Sequence, residues 1–390
     1  MSEKQVNQII GKVFNQLADT LISGEYGQKP KVLITATGSE HGEDNIITAA
    51  LNANRNGADT TVISTKETEG LKTVLVKSED EAHKVMEEML SSKQVDAAVT
   101  MHYPFPIGVS TVGRIITPGT GREMFIATTT GTSSTDKVEG MVKNAIYGII
   151  TAKACGIKNP TVGILNIDGA RQTEIALNKL KKQGYDINFT ESKRSDGGAV
   201  MRGNDILTGS CDVMVMDSLT GNLMIKIFSS FTTGGSYESL GYGYGPGIGE
   251  GFDKLILIIS RASGAPLVEG AIKFASDLVK GNCMKIAKEE FEKAKNAGLL
   301  DILSSLKASK KSEDTEEVKA PKKTVVTSQI SGVEVMDLED AVKILWKNNI
   351  YAESGMGCTG PIILVSDEKT DEAIKILEAN EFVAAEKSDC

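Results

Sequence analysis

One stretch in the second half of the chain decides the predicted fold, and it reads Asp212-Val213-Met214-Val215-Met216-Asp217-Ser218-Leu219-Thr220-Gly221-Asn222. The run from Asp212 to Met216 is almost continuously apolar, which is typical of a β-strand covered on both faces. The polar and glycine residues that follow lead into a helix predicted over 220–230. The stretch therefore predicts a buried strand, a polar loop and a helix, in that order.

The same strand–loop–helix unit occurs both before and after this stretch. Short apolar runs predict strands at 31–34, 59–64, 71–76, 95–100, 124–130, 161–165 and 255–259. Helical patterns begin at about residue 43 and cover 79–91, 137–156, 170–183 and 265–280. This alternation predicts an α/β protein in which a mostly parallel sheet forms the middle of three layers.

Composition and periodicity divide the chain into four segments. We predict an N-terminal helix in residues 1–28, the α/β domain in 29–306, a charged linker in 307–324 and a small C-terminal α/β domain in 325–390. The linker has one proline and almost no large apolar residue, as flexible connections do. The small domain is predicted as strand, helix (337–348), turn, strand (361–365), helix (368–379) and strand.

Bulk properties exclude several classes of function. The 390 residues carry a net charge of −9, which argues against a nucleic-acid partner. No apolar run is long enough to span a bilayer, so we expect no membrane partner. Five scattered cysteines and a first segment without signal-peptide character predict a cytoplasmic protein. We expect neither a metal site nor a tightly bound cofactor.

A glycine-rich segment lies between Gly234 and Gly251 and contains eight glycines. A dinucleotide fingerprint follows a strand and opens a helix, whereas this segment precedes a strand, so we reject that interpretation. We predict a mobile surface loop. A phosphate cradle is the alternative.

Cys358 is the candidate reactive residue, within Ser354-Gly355-Met356-Gly357-Cys358-Thr359-Gly360-Pro361. Three glycines and a proline predict a tight turn in which backbone amides point at a bound group. A thiol there is exposed and becomes reactive if amides or a nearby cation lower its pKa. The alternative is a buried, inert cysteine. The other cysteines fit that alternative better, namely Cys155, Cys211, Cys283 and Cys390.

Polar residues collect in the loops that follow the predicted strands. Such loops meet at the carboxyl ends of parallel strands, where helix N-termini attract anions. His102 follows one of these strands and is a further candidate to line the cleft. The candidate phosphate- or acyl-phosphate-binding residues are Thr37, Gly38, Ser39, Asp168, Arg171, Asp217, Gly221, Asn222 and Lys226. For each Ser, Thr or Asp the alternative is a helix cap, so only convergence of several loops indicates a site.

The residues 217–226 resemble the Asp-Gly-x-x-Gly-Asn-x-x-x-Lys stretch of the phosphate acyltransferase family of phospholipid synthesis. Further similar segments are 203–207, 35–41 and 264–267, so the resemblance covers about residues 30–290. It implies a phosphotransacetylase-like fold with an acyl-phosphate site in the cleft. Two positions depart from the family pattern, because Thr35 stands in place of an acid and Ser218 in place of a glycine.

The charged linker and the Gly-Met-Gly-Cys-Thr-Gly-Pro segment indicate a narrower group of relatives than the core alone does. Together with the core they look like the α subunits of component C of glycine/sarcosine/betaine reductase complexes. That resemblance implies that a carboxymethyl group on the selenocysteine of component A becomes an acetyl thioester on a cysteine, which matches Cys358 here. Phosphate, the co-substrate, then releases acetyl phosphate. The implied protein partners are the component C β subunit and the selenoprotein component A.

Two other functions stay open at this stage. A stand-alone phosphate acyltransferase that uses a carrier thioester would need neither Cys358 nor the linked domain. A non-catalytic scaffold subunit would fit the altered loops, although it would not explain a cysteine among three glycines. The activated-nucleophile setting of Cys358 is the feature that separates these alternatives.

Overall fold

The computed structural model describes residues 29–193, 198–313, 318–333, 337–357, 360–380 and 382–383, together with Gly11, Val13, Phe14, Leu17 and Ala18. The chain divides into two compact units, Met1–Leu306 and Lys307–Cys390. Most of the predicted N-terminal helix lies outside the described residues. The five residues described there are helical.

The large unit alternates strands and helices along most of its length. Its strands are β1 Lys31–Thr35, β2 Asp59–Ser64, β3 Lys72–Leu75, β4 Ala97–Thr100, β5 Val109–Ile116, β6 Glu123–Thr132, β7 Thr161–Leu165, β8 Asn188–Phe189, β9 Val200–Met201, β10 Val213–Val215, β11 Gly245–Ile248 and β12 Ile256–Ile258. Its helices are α1 Glu43–Arg55, α2 Glu79–Ser91, α3 Lys137–Ala154, α4 Ala170–Lys182, α5 Gly203–Thr208, α6 Ser218–Ser230, α7 Ala265–Lys280, α8 Cys283–Asn296 and α9 Leu299–Glu313.

The strands of this unit form one sheet in the order β3-β2-β1-β4-β12-β11-β5-β6-β10-β7-β8, with β9 also paired to β7. Neighbouring strands pair in parallel in both outer parts of the sheet, as the apolar strand pattern predicts. At its centre β11 runs antiparallel to β12 and to β5, and β5 runs antiparallel to β6. The predicted mostly parallel α/β class is confirmed.

The centre of the sheet corrects the prediction for the glycine-rich segment. Instead of a mobile surface loop, part of that segment is the buried strand β11. A Cβ added at Gly245 would lie 1.7 Å from the Val112 carbonyl oxygen, and one at Gly247 would lie 2.3 Å from the Phe105 ring. The glycines are therefore needed because neighbouring groups approach the backbone closely.

Helices cover both faces of the sheet, which gives the predicted three layers. Alternate residues of β1 show this, because Val32 and Ile34 join one buried cluster while Leu33 joins another. The first cluster is completed by α1, α3, α4, α7, α8 and α9. On the other face α2 packs against one half of the sheet and α6 against the other. The helix α6 is the element that positions the candidate site.

In its described residues, the small unit is a three-stranded antiparallel sheet with two α-helices. Its elements are β13 Ser328–Ser331, α10 Leu338–Lys347, β14 Glu353–Gly357, β15 Gly360–Val365 and α11 Thr370–Ala379, with sheet order β13-β15-β14. Leu345, Ile363 and Leu377 are fully buried in its core. This corrects the extent of the predicted turn, because Glu353–Gly357 is a strand, while Cys358 and Thr359 at the centre of that turn lie outside the described residues. The predicted last strand falls mostly outside the described residues.

The two units divide between Leu306 and Lys307, where the predicted linker begins, but the first residues of that linker are not an irregular connection. Helix α9 continues to Glu313, so residues 307–313 are helical. The charged side chains of that stretch favour a helix as well as a solvated linker, and composition alone does not distinguish the two. None of the helices in the described part of the chain is long and apolar enough to cross a bilayer.

Candidate anion-binding site

A cavity of about 200 Å³ opens at the carboxyl ends of β4, β12 and β6, beside helix α6. This is where ligands bind in parallel α/β sheets. Its described lining residues are Met101, His102, Tyr103, Phe105, Thr130, Asn222, Lys226, Tyr244, Ile258, Ile259 and Ser260. Of the predicted site residues it brings together Asn222 and Lys226, and the further candidate His102 also lines it.

A larger cavity of about 530 Å³ lies at the other ends of the strands. It is lined by Pro30, which precedes β1, and by Ile116, which ends the antiparallel strand β5. None of the predicted phosphate-binding residues lines it. We therefore assign the candidate site to the smaller cavity.

The first turn of α6 is held firmly against the sheet. Asp217 caps the helix, because its carboxylate accepts hydrogen bonds from the Thr220 backbone N–H at 2.9 Å and the Thr220 hydroxyl at 2.8 Å. A Cβ added at Gly221 would lie 1.7 Å from the Thr128 carbonyl oxygen, so only glycine fits there. Asn222 Nδ2 donates to the Thr129 carbonyl oxygen at 3.0 Å. These contacts aim Asn222 and Lys226 at the cavity.

Lys226 carries the one permanent positive charge among the described lining residues. Its Nζ lies 3.7 Å from Glu238 Oε1 and 5.4 Å from the centre of the Tyr244 ring. Glu238 is buried and accepts hydrogen bonds from the Tyr244 hydroxyl at 2.7 Å and the Ser263 hydroxyl at 3.0 Å. Glu238 and Tyr244 are not among the predicted site residues, because both lie in the glycine-rich segment whose composition predicts a loop.

The two lining tyrosines donate their hydroxyl protons to carboxylates behind the cavity wall. Tyr103 donates to Glu87, and Tyr244 donates to Glu238. Burial, followed by the neighbouring carboxylate, raises the pKa of each phenol well above its usual value. Both side chains are therefore neutral at physiological pH, and they shape the wall without adding charge.

The first predicted loop lies beside the cavity and does not line it. Gly38 has a φ of +90°, and its carbonyl oxygen accepts a hydrogen bond from Arg261 at 3.3 Å. The Ser39 hydroxyl accepts a hydrogen bond from the His41 backbone N–H at 3.2 Å, which is a local turn contact. Thr37 is buried, and its hydroxyl has no hydrogen-bond partner within the part of the chain that the structure describes.

Asp168 and Arg171 are not brought to this cavity. Asp168 pairs with Lys137 at 3.2 Å, and its side chain is 62% exposed. Arg171 pairs with Glu174 one turn along the same helix, at 2.5 Å. These contacts are local, so the cavity lends no support to a phosphate-binding role for the loop after β7.

The strands on either side of Cys358 are described, whereas Cys358 and Thr359 lie outside the described residues. Gly355 pairs with Ile362 across β14 and β15, and Gly357 pairs with Gly360. Three other cysteines lie within the described residues, so the burial of their thiols is defined. Cys211 and Cys283 are buried and Cys155 is partly buried, and burial raises the pKa of all three thiols to about 12, which disfavours the reactive thiolate at neutral pH.

Comparison with known proteins then places the chain. The family model described as a fatty acid synthesis protein matches residues 30–364, which include both the cavity and Cys358. The chain belongs to this family. It is 59% identical over 382 residues to the glycine/sarcosine/betaine reductase complex component C subunit alpha of Peptoclostridium acidaminophilum, a match that covers 97% of this chain and 99% of that protein. The predicted resemblance to component C α subunits is confirmed.

A further relative and a solved structure match smaller parts of the chain. The phosphate acyltransferase of Halothermothrix orenii is 27% identical over 199 residues, covering 42% of this chain and 57% of that protein. A branched-chain phosphotransacylase structure from Enterococcus faecalis aligns with a TM-score of 0.44 and 14% identity, covering 64% of this chain and 98% of that one. The sequence relatives confirm the predicted link to phosphate acyltransferases and support an acyltransferase role.

Proposed function

We propose that this chain is the acetyl-transferring subunit of a glycine, sarcosine or betaine reductase component C. The observation that carries the proposal is the near-complete match to a component C α subunit, which extends through the small unit with Cys358. In this proposal Cys358 holds an acetyl thioester that originates from the carboxymethyl-selenoether of component A. The protein acts in the cytoplasm together with a β subunit.

The chemical step assigned to this chain is phosphorolysis of the thioester. A phosphate oxygen attacks the acetyl carbon, the carbon–sulfur bond breaks, and the Cys358 thiolate leaves as acetyl phosphate forms. A thiolate suits this step because it is both a good nucleophile and a good leaving group. The proposal requires an anion site for phosphate, which we assign to Asn222 and Lys226.

The size and polarity of the cavity support small anionic substrates. At about 200 Å³ it is smaller than the roughly 300–1,000 Å³ typical of sites for drug-sized ligands. The Lys226 ammonium, the Asn222 amide and the hydroxyls of Thr130 and Ser260 offer charge and hydrogen bonds to phosphate oxygens. The apolar side chains of Met101 and Ile258 in the lining suit contact with a short acyl group.

The first experiment is peptide mass mapping after brief incubation with acetyl phosphate, with and without added phosphate. We expect one labile acetyl group on Cys358 that phosphate discharges, and none in Cys358→Ala. Cys390→Ala serves as the matched control and should keep the adduct. Absence of the adduct, or full acetyl phosphate turnover by Cys358→Ala, would contradict the thioester step.

A second candidate is a phosphate acyltransferase that acts without a cysteine intermediate. It is favoured by the partial matches to phosphate acyltransferases, which cover less than half of this chain. The same variant separates the two, because Cys358→Ala would retain acyl phosphate formation under this alternative and lose it under the first.

A further inference from the structure

A buried carboxylate lies directly behind the only permanently charged residue among the described lining of the anion site. Glu238 is 4% exposed and does not line the cavity, yet it contacts Lys226 and Tyr244, which do. A carboxylate that faced the cavity would repel phosphate. From its position behind the wall, it acts on the site through its neighbours.

The Glu238 backbone is fixed as tightly as its side chain. Its N–H donates to the Ala262 carbonyl oxygen at 3.1 Å, and its carbonyl oxygen accepts from the Gly264 N–H at 2.7 Å. These bonds tie residue 238 to the loop that follows β12, which also supplies Ser260 to the cavity. Both carboxylate oxygens are then held by hydroxyl donors from Tyr244 and Ser263.

The distance to Lys226 shows how the carboxylate acts. At 3.7 Å from Oε1, the ammonium is attracted, but the separation exceeds the roughly 2.7–2.9 Å of a charge-assisted hydrogen bond. The N–H donors of Lys226 are therefore not consumed by Glu238. The centre of the Tyr244 ring lies 5.4 Å from the Lys226 Nζ. Because the π-face of an aromatic ring attracts cations, the ring favours the same position of the ammonium as Glu238 does.

We propose that Glu238 is a positioning residue that holds the Lys226 ammonium at the cavity wall for the phosphate oxygens of the acyl-transfer reaction. This inference rests on the proposed function and extends it to a residue outside the cavity. A lysine side chain has several rotatable bonds, and the Lys226 side chain is 51% exposed. Without an anchor it would occupy many orientations, few of which align with the reacting phosphate.

The test compares Glu238→Gln with wild type in two measurements, using the full chain. Calorimetric titration gives the dissociation constant of inorganic phosphate. Isotope exchange between labelled phosphate and acetyl phosphate gives kcat and KM. We expect kcat to fall by about 10- to 100-fold. We expect phosphate affinity to stay equal or to increase, because the Lys226 charge is no longer compensated.

A matched control is available in Glu290. This glutamate is also buried, accepts a hydrogen bond from the Tyr185 hydroxyl at 3.0 Å and pairs with Lys153 at 3.0 Å, but it does not contact the cavity residues. Glu290→Gln should lower thermal stability, but it should not cause a selective fall in kcat relative to KM. Ser263→Ala provides a milder variant that removes one donor to Glu238, and it should lower kcat less than Glu238→Gln does.

A double-mutant comparison decides whether Glu238 acts through Lys226. Lys226→Met should weaken phosphate binding and lower kcat, and adding Glu238→Gln to it should cause no further loss. Additive losses, or a Glu238→Gln enzyme with wild-type kcat, would overturn the inference. An inactive wild-type chain in the exchange assay would instead contradict the proposed function, while phosphate titration would still report on the pair.

Discussion

At the scale of single residues, Gly221 is one of the positions that tolerate change least. Any Cβ there overlaps the Thr128 carbonyl oxygen at 1.7 Å, and a backbone atom cannot rotate away as a side chain does. We expect Gly221→Ala to lower stability by about 3 kcal/mol because the helix must shift away from β6. Urea unfolding followed by circular dichroism measures the change.

The control for that substitution is Gly203, the first residue of α5. A Cβ at Gly203 would meet no atom within 4 Å. Gly203→Ala should therefore leave the free energy of unfolding unchanged or slightly higher. If both alanine variants unfold at the same urea concentration as wild type, the close approach of α6 to β6 is wrong.

The individual site residues were partly predictable. Asn222 and Lys226 are one helical turn apart, so their joint exposure on one face followed from the helix itself. The residue types of Asp168 and Arg171 and their place after a strand predict a site, but in the structure Lys137 and Glu174 hold them in local ion pairs. Glu238 carried no signal of its own, because its role depends on packing against the loop after β12.

At the scale of elements, the start of α6 depends on Asp217. Its carboxylate bonds to both the backbone and side chain of Thr220, so we expect Asp217→Ala to cost about 1 kcal/mol. Asp217→Asn should restore most of that loss and should leave the dissociation constant of phosphate unchanged. Thermal unfolding and phosphate titration measure the two effects. A large loss of phosphate affinity in Asp217→Asn would show that this carboxylate is a ligand and not only a cap.

Most elements were predictable from periodicity, and β11 and β5 show why some were not. From Leu240 to Gly249 every second residue is glycine, and the residues between them are Leu240, Tyr242, Tyr244, Pro246 and Ile248. This is the period of two that indicates a strand. The high glycine content was interpreted as mobility, whereas the glycines leave space for Val112 and Phe105. Strand β5 was missed because its Ser, Thr, Gly and Arg residues interrupt the apolar run.

At the scale of the whole molecule, buried thiols make stability depend on alkaline pH. Burial raises the pKa of Cys155, Cys211 and Cys283 from about 9 to about 12. Above pH 9 the unfolded chain loses these protons while the folded chain keeps them, so stability falls as the pH rises from about 9 to 12. We expect melting temperatures to decline over this range.

Cys283→Ala provides the control for this pH dependence. Cys283 is 1% exposed, so its replacement removes one of the three thiol contributions, and the decline with pH should become shallower. The buried Tyr185, whose pKa burial also raises, acts in the same direction and remains in the variant. Identical slopes for wild type and variant would contradict the assignment of a raised pKa to Cys283.

The order of strands along the chain has a consequence for the protein during its synthesis. Strands β11 and β12 join β4 to β5, yet they are the last of the large sheet to leave the ribosome. A nascent chain that ends near residue 240 lacks the two strands that link β4 to β5, so the inner edges of β4 and β5 have no partner from this sheet. Such edges invite aggregation until they are paired. The glycine-rich segment therefore supplies a strand, β11, that is needed to join the two halves of the sheet. A pause in translation before this segment would prolong the time in which chaperones are needed.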